Sequence, residues 1–440
     1  MSKWKYSQYN INLRDDGYPN AKKDEYYNIL LGKFTIIPND VNLDNPPGDL
    51  KGFLVPFDVD ETKNFMKRQD ELFNEEYPSH LSLVIAVTMS CNYRCEYCFQ
   101  GEHSANANMS DETIDDTISY IKKEIDNNDK LKSLGVTFFG GEPLMNMGAI
   151  RKISRFLLTY TKEKGISYRA AIDTNGFFMK KEISAELKEL GVVKAQIAFD
   201  GLEDFYNTIR KAPKDAYKKV LKNIEDSEIP IVIRVNVTKK NQDEAKELIR
   251  YLYTLQSVKD GKDTLSIMRV NVYDRESDYN FTDDEWLQFR ECLTDYISLT
   301  SAENLFKLQT AAPFACAMLK KHNVVIGVDG NLYRCDRQVC EKGKEIGNLK
   351  DGINDDCEIE KSFRSIILNE DCMKCKYLPL CGGDGGCRLD YLEQGNNCDL
   401  VKGKFRQDMS NYLKYVRTPK HKNLTGHGSF LDCMKKGIVQ

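Results

Sequence analysis

Cys91, Cys95 and Cys98 fall in the run Thr88-Met-Ser-Cys-Asn-Tyr-Arg-Cys-Glu-Tyr-Cys-Phe99, three thiols within eight residues. Thiolates are the ligands that iron–sulfur clusters take, and a cuboidal 4Fe–4S cluster has four irons to fill. Three cysteines so spaced can wrap one cluster and leave one iron open to a ligand from outside the chain. An open iron points to chemistry rather than to electron storage alone. A structural zinc ion would need a fourth ligand, and the nearest histidines, His80 and His103, do not stand at knuckle spacing.

A scaffold must hold such a triplet, and from Leu81 onward the chain alternates two periodicities. Runs rich in β-branched and apolar residues predict strands at Ser82 to Val87, Val136 to Phe139, Tyr168 to Asp173, Val193 to Phe199, Ile231 to Val237 and Ser266 to Val272. Helices are predicted between them, near Ala149 to Lys162, Lys180 to Leu190, Ala216 to Glu225 and Asp243 to Tyr253. Another follows Ser110, a capping residue with Asp111 and Glu112 in the first turn and Ile114, Ile118, Ile121 and Ile125 on one face. Six strand–helix units in series predict an α/β fold with a parallel sheet and right-handed crossovers. The pattern leaves open whether that sheet is a partial barrel or an open doubly wound one. Residues 1 to 80 read as a small α+β module, with short strands at Phe34 to Ile37 and Phe53 to Val55, a turn at Asn45 to Asp49 and a helix from Glu61 to Glu75.

At 440 residues the chain is long enough for two or three domains. Its formal charge of −4 gives no general attraction to nucleic acid or an anionic membrane, so neither is an expected partner. The N-terminus lacks an apolar stretch and no run of 18 apolar residues occurs, so a cytoplasmic location is expected. Fourteen cysteines are better explained there by cluster ligation than by disulfides.

The triplet, with Tyr97 before its last cysteine, resembles the signature of the radical S-adenosylmethionine enzymes. That resemblance implies a partial (β/α)6 TIM-like barrel carrying the triplet after its first strand, with S-adenosylmethionine on the open iron and hydrogen abstraction from unactivated C–H bonds as the chemistry. It also assigns roles to strand-end residues. Gly140-Gly141-Glu142-Pro143 resembles the family turn that holds the methionine amino group; glycines let a backbone approach a ligand, and Glu142 can accept from an ammonium. Thr174 and Asn175 match polar cofactor contacts after the third strand, and Asn236 on the fifth is placed to reach the adenosine. Arg210 matches an arginine that pairs with the cofactor carboxylate. In the run Ala198-Phe-Asp-Gly201, alanine stands where the family usually has serine, which removes one customary contact.

Ten cysteines lie beyond residue 300. Cys316, Gly330 and Cys335, followed by Cys372, Cys375, Cys381, Cys387 and Cys398, resemble the SPASM extension that binds two auxiliary 4Fe–4S clusters, three clusters in all. By that resemblance Cys372, Cys375, Cys381 and Cys398 hold the distal cluster. Cys316, Cys335 and Cys387 hold the proximal one, with Cys340 or Cys357 as candidate fourth ligand unless the site stays open. Five residues separate Cys381 from Cys387 where the family commonly has three, a loop eased by its glycines. Cys292 and Cys433 read as ordinary cysteines. Asp336, next to Cys335, matches an aspartate proposed in sulfatase-maturing members as the base that takes a substrate proton.

The expected layout is therefore a peptide-binding module over 1–80, the barrel over 81–300 and the auxiliary cluster domain over 301–440. The expected function is maturation of a ribosomally made precursor peptide through a thioether or carbon–carbon crosslink, the leader pairing with a strand edge within residues 30 to 56. A flavodoxin- or ferredoxin-type protein is the expected electron donor. Anaerobic sulfatase maturation is the alternative within the class, and a non-catalytic iron–sulfur electron carrier the alternative outside it.

Overall fold

The computed structural model describes residues 3–100, 108–270, 279–298, 316–365, 368–395 and 398–415. His103, Cys433 and residues 271–272 of the sixth predicted strand lie outside the described residues. The chain packs as two compact units, one of Leu72–Thr282 and Ala317–Ser365, the other of Met1–Glu71, Asp283–Cys316 and Ile366–Gln440.

The first unit holds the strand–helix series. Its six parallel strands are His80–Thr88, Ser133–Gly140, Ser167–Thr174, Val192–Phe199, Ile231–Val237 and Thr264–Arg269, hydrogen-bonded in chain order. A seventh, Val324–Ile326, pairs parallel with the first strand and continues into the antiparallel segments Asn331–Tyr333, Gly347–Asn348 and Gly352–Ile353. The parallel run is the sheet that the strand–helix alternation predicts and that the family resemblance implies as a partial barrel, extended by a late segment that no periodicity announced.

The barrel's two faces differ. One is built from side chains such as Leu83, Val136, Ile172, Ala195 and Ile231, all fully or almost fully buried, in register rows running across the sheet. Each large apolar side chain so buried contributes about 1.5–3 kcal/mol. The alternate residues, among them Thr137, Asp173, Lys194, Gln196 and Arg234, are half-buried and polar. In a barrel the inner face is the lumen, and functional groups gather at the strand C-termini.

Helices cover the apolar face. In Asp111–Asp126, Ser110 Oγ accepts from Thr113 N at 3.0 Å, while Ile114, Thr117, Ile121 and Ile125 turn inward and Ile118 stays half-exposed. The short helix Glu203–Arg210 is not among the predicted ones; its eight residues carry just Phe205, Tyr206 and Ile209 as large apolar side chains, too few for a clear period. Lys211, left-handed at φ 46°, ends it.

In the second unit, residues 1–71 share cores with the C-terminal segment. Ile11, Leu13, Tyr27 and Ile29 pack with Phe405, Met409 and Leu413 of the helix Cys398–Tyr415. Tyr9 and Phe65 pack with Cys372 and Leu378. A three-stranded antiparallel sheet, ordered Asn10–Asn12, Glu25–Asn28, Lys33–Ile36, and a ribbon of Trp4–Tyr6 with Leu54–Pro56 complete the N-terminal part. No helix among the described residues is long and apolar enough to cross a membrane.

Candidate functional site

The cysteine triplet lies on the loop that leaves the first barrel strand. Two backbone bonds strap this loop to the end of the helix Glu203–Arg210: Arg94 N donates to Arg210 O at 3.0 Å and Glu96 N to Ile209 O at 2.9 Å. Burial pushes the Cys91 thiol up to about 11 and Cys95 to about 12, and raises Cys98. Their mutual fields are felt too, Cys95 being raised by both Cys98 and Cys91. In the cluster-free chain these are half-buried neutral thiols, and bonding to a metal would bring them to thiolate at neutral pH.

The Gly140-Gly141 pair turns out to serve the backbone of this same loop. A Cβ on Gly140 would lie 1.9 Å from Thr88 O, and one on Gly141 2.4 Å from Ser90 O. With no side chains in the way, Gly141 N donates to Thr88 O at 2.9 Å and Glu142 N to Ser90 O at 2.8 Å. The two strand ends are thus stitched together immediately before Cys91. Pro143 opens the 3-10 turn that follows and is buried.

Glu142 is fully buried. Its carboxylate accepts from Thr174 Oγ1 at 2.6 Å, Asn175 N at 2.7 Å and Leu144 N at 3.1 Å, and burial still pushes it up to about 7. Asn175 Nδ2 reaches Asn92 Oδ1 at 2.8 Å and Cys91 Sγ at 3.9 Å. Glu142, Thr174, Asn175 and the first cysteine therefore form one connected group.

Arg210 is buried and its Nε donates to the Asp200 carboxylate, with the guanidinium 4.9 Å from the Tyr206 ring centroid. The other Asp200 oxygen accepts from Tyr97 Oη at 2.6 Å, and Asn236 Nδ2 donates to that phenol at 3.3 Å. The aromatic ahead of the last cysteine is thereby pinned to the ends of the fourth and fifth strands. The sequence reading paired Arg210 with a cofactor carboxylate; here a carboxylate of the chain itself occupies its Nε.

Asp336 begins a short turn directly after Cys335, whose thiol lies 3.6 Å from Asp336 Oδ1. Its charge reaches the lumen. Asp173 is pushed up to about 6, by burial first and then by Asp336, against Arg234 and Lys194. Arg234 was not singled out from sequence, although a lone charge inside the apolar run Ile231–Val237 was a usable signal.

The auxiliary cysteines divide between the two units. Cys335, Cys340 and Cys357 belong to the first; Cys316, Cys372, Cys375, Cys381, Cys387 and Cys398 belong to the second. Within the second, burial pushes Cys381 to about 11, with further upward pressure from Cys375 and Cys398, so these three of the expected distal set lie within electrostatic reach. Cys372 packs beside Cys375 in the core with Tyr9 and Phe65. In the first, Cys340 is left-handed at φ 61° with its thiol raised to about 11 by burial, whereas Cys357 Sγ lies 3.5 Å from Glu345 O. Cys292 is exposed, and no disulfide joins any described cysteine.

Thiols are the donors that iron–sulfur clusters take. Among the described residues no three His, Cys, Asp or Glu side chains converge as one metal ion requires. Each cysteine of a cluster binds its own iron, so convergence on a point is not needed. Buried amide donors without a partner stand close by: Asn92 Nδ2 beside Cys91, and Gln69 Nε2 beside the Cys381 loop.

Residues 85–252 match the radical SAM superfamily. A GTP 3',8-cyclase of Helicobacter pylori is 30% identical over 175 residues, 38% of this chain and 50% of that one. This chain thus spans about half the length of the first of its curated relatives. A cysteine-type anaerobic sulfatase-maturating enzyme of Clostridium perfringens is 24% identical over 376 residues, 76% of this chain and 96% of that one. Among solved structures, SuiB of Streptococcus suis, determined with S-adenosylmethionine and with its precursor peptide SuiA, shares the fold at TM-score 0.53 and 18% identity. The alignment covers 76% of this chain and 77–78% of SuiB. Carrying the cysteine triplet, the Gly-Gly-Glu-Pro turn and Arg210, residues 85–252 belong to the radical SAM superfamily.

Proposed function

We propose that this chain is a radical S-adenosylmethionine enzyme that oxidises a residue of a ribosomally made precursor peptide and closes a thioether or carbon–carbon crosslink. In this reading Cys91, Cys95 and Cys98 hold the catalytic 4Fe–4S cluster. A carboxylate has about four lone-pair sites; three at Glu142 are taken by Thr174, Asn175 and Leu144, and the fourth is open to the methionine ammonium. When bound, cluster and cofactor supply hydrogen-atom abstraction from an unactivated C–H bond. The Gly140-Gly141 stitch and the Asp200–Tyr97 bond keep the cysteine loop in place. Asp336, whose charge is felt by Asp173 in the lumen, would take a substrate proton. The auxiliary cysteines would hold two further clusters, and a flavodoxin- or ferredoxin-type protein would supply electrons.

The observation that carries the precursor reading is the N-terminal sheet. Lys33–Ile36 is one of its two outer strands, and Ile36 is 51% exposed. A leader peptide added to that edge gains main-chain hydrogen bonds and an apolar contact. The second reading, sulfatase maturation, is favoured by the match across 96% of the Clostridium perfringens enzyme. One experiment separates them. The anaerobically loaded, reduced chain is incubated with S-adenosylmethionine and either a leader-bearing peptide encoded beside its gene or a sulfatase peptide carrying the target cysteine. A crosslink removes two hydrogens and keeps every heavy atom, whereas formylglycine formation exchanges the sulfur for oxygen. Modification of the sulfatase peptide alone would refute the precursor reading.

A further inference from the structure

The helix Glu61–Phe73 turns Thr62, Phe65 and Gln69, three residues of one helical face, toward the C-terminal cysteine segment. Thr62 Oγ1 donates to Met373 O at 2.8 Å. Phe65 packs on Cys372 and Leu378 with Cys375 at the margin. Gln69 is 2% exposed, and its Nε2 has no hydrogen-bond partner. Gly382, directly after Cys381, lies beside it: a Cβ there would stand 3.7 Å from Gln69 Oε1 and 3.9 Å from Nε2. Gly383 N, one residue further on, donates to Cys381 Sγ at 3.4 Å, so the turn beside the Gln69 amide already directs one donor at this sulfur. A core position normally holds an apolar side chain, and a buried amide is retained against its desolvation cost only when it meets an acceptor. The acceptor that belongs beside Cys375, Cys381 and Cys398 is cluster sulfur.

We propose that Gln69 Nε2 donates a hydrogen bond to a sulfur of the iron–sulfur cluster held by Cys372, Cys375, Cys381 and Cys398, raising its reduction potential. This rests on the proposed auxiliary cluster. A donor aimed at cluster sulfur favours the more negative, reduced state, one of the levers that set such potentials. Gln69 is a positioning and tuning residue, contributed by the N-terminal residues to a site whose ligands are all C-terminal.

The test uses the full chain with Cys91, Cys95 and Cys98 replaced by alanine, so that only auxiliary clusters load. Iron and sulfide content is measured first, with Cys381→Ala identifying the iron that belongs to the distal site. A paramagnetic-resonance redox titration then compares the parent with Gln69→Met and Gln69→Glu. The expected result is a reduced-to-oxidised ratio about tenfold lower at fixed poise in Gln69→Met, about 59 mV for one electron, and lower again in Gln69→Glu. Thermal unfolding of the cluster-free chain gives a reading independent of loading: Gln69→Met should raise Tm by removing the orphaned amide. Distal-site iron with a ratio unchanged within about twofold overturns the tuning role alone. Loss of no iron in Cys381→Ala overturns the auxiliary cluster and the tuning role together. A fall in Tm of the cluster-free Gln69→Met chain also overturns it, since the amide would then have an acceptor within the protein.

Discussion

Glu142 offers a pH experiment whose size follows from its surroundings. Burial raises its carboxyl from 4.5 to about 7 despite three hydrogen-bond donors. Between those values the folded chain holds a proton that the unfolded chain has released. Stability from this group is therefore fully present below pH 4.5 and is lost as pH rises through about 7. A separation of about 2.5 pH units corresponds to about 3 kcal/mol, at ~1.4 kcal/mol per unit. Asp173, raised from 3.8 to about 6, adds a second loss of the same sign at lower pH.

Glu142→Gln isolates the first contribution. The amide keeps an acceptor for Thr174 and Leu144 but turns an NH2 toward Asn175 N, a mismatch worth about 1–3 kcal/mol at every pH. The informative quantity is consequently the slope, not the offset. Urea unfolding of the cluster-free chain from about pH 5 to about pH 8 should show the advantage of wild type over Glu142→Gln shrinking by about 2.5 kcal/mol, most of the full linkage. Asp173 cancels in the difference. Both tryptophans, Trp4 and Trp286, belong to the other compact unit, so circular dichroism or hydrogen exchange of the barrel strands must report the transition. A difference that stays flat within about 1 kcal/mol would refute the reasoning, since Glu142 would then ionise as an exposed carboxyl does. An ammonium bound at its open acceptor site should restore the ionised form. S-adenosylmethionine binding below about pH 7 is therefore expected to release a proton, seen calorimetrically as a dependence on buffer ionisation heat.

Gly141→Ala would place a Cβ 2.4 Å from Ser90 O and 2.6 Å from Met89 O. It should cost about 3 kcal/mol in urea unfolding and lower iron retention at the triplet; stability unchanged within about 0.5 kcal/mol would mean the stitch is slack. Asp200→Asn keeps an acceptor for Tyr97 but leaves the Arg210 charge buried without its counter-charge, so a loss of about 3–5 kcal/mol is expected. Hydrogen exchange at the Arg94 and Glu96 amides, which bond to Arg210 O and Ile209 O, should quicken with it. Ile36→Glu at the exposed strand edge should leave Tm unchanged while weakening precursor binding at least tenfold by titration calorimetry.

The six barrel strands were legible because period-two runs of Val, Ile and Phe need no partner to be recognised; Ile231–Val237 matches its predicted bounds and the others shift by a few residues. Local chemistry was legible too, as Ser110 shows at its cap. What escaped was non-local. Tyr27 and Phe405 lie almost four hundred positions apart, yet they share a core, and nothing in either segment's pattern names the other. The Gly140-Gly141 pair was recognised as a place of close approach, but the approaching atoms, Thr88 O and Ser90 O, belong to a strand neighbour rather than a ligand. Arg210 likewise carried a fork of donors whose acceptor is read only in space.

Both cysteine sites are arranged so that the cluster-free chain carries a cost that loading removes. At the triplet, burial raises Cys91, Cys95 and Cys98, and Asn92 Nδ2 is buried without an acceptor. Around Cys381 the same pairing recurs, a raised thiol and the orphaned Gln69 Nε2. Bonding to iron converts the thiols to thiolates without requiring a free buried anion, and brings sulfur acceptors within reach of amides that have none. Under the proposed ligand sets, folding and cluster uptake would be linked at both places. At the second, residues 1–71 take part in that linkage, because Tyr9, Phe65 and Gln69 form one wall of the cysteine core. Removing them to test leader binding would strip a wall from that core, so leader binding is better probed by a surface change such as Ile36→Glu than by truncation.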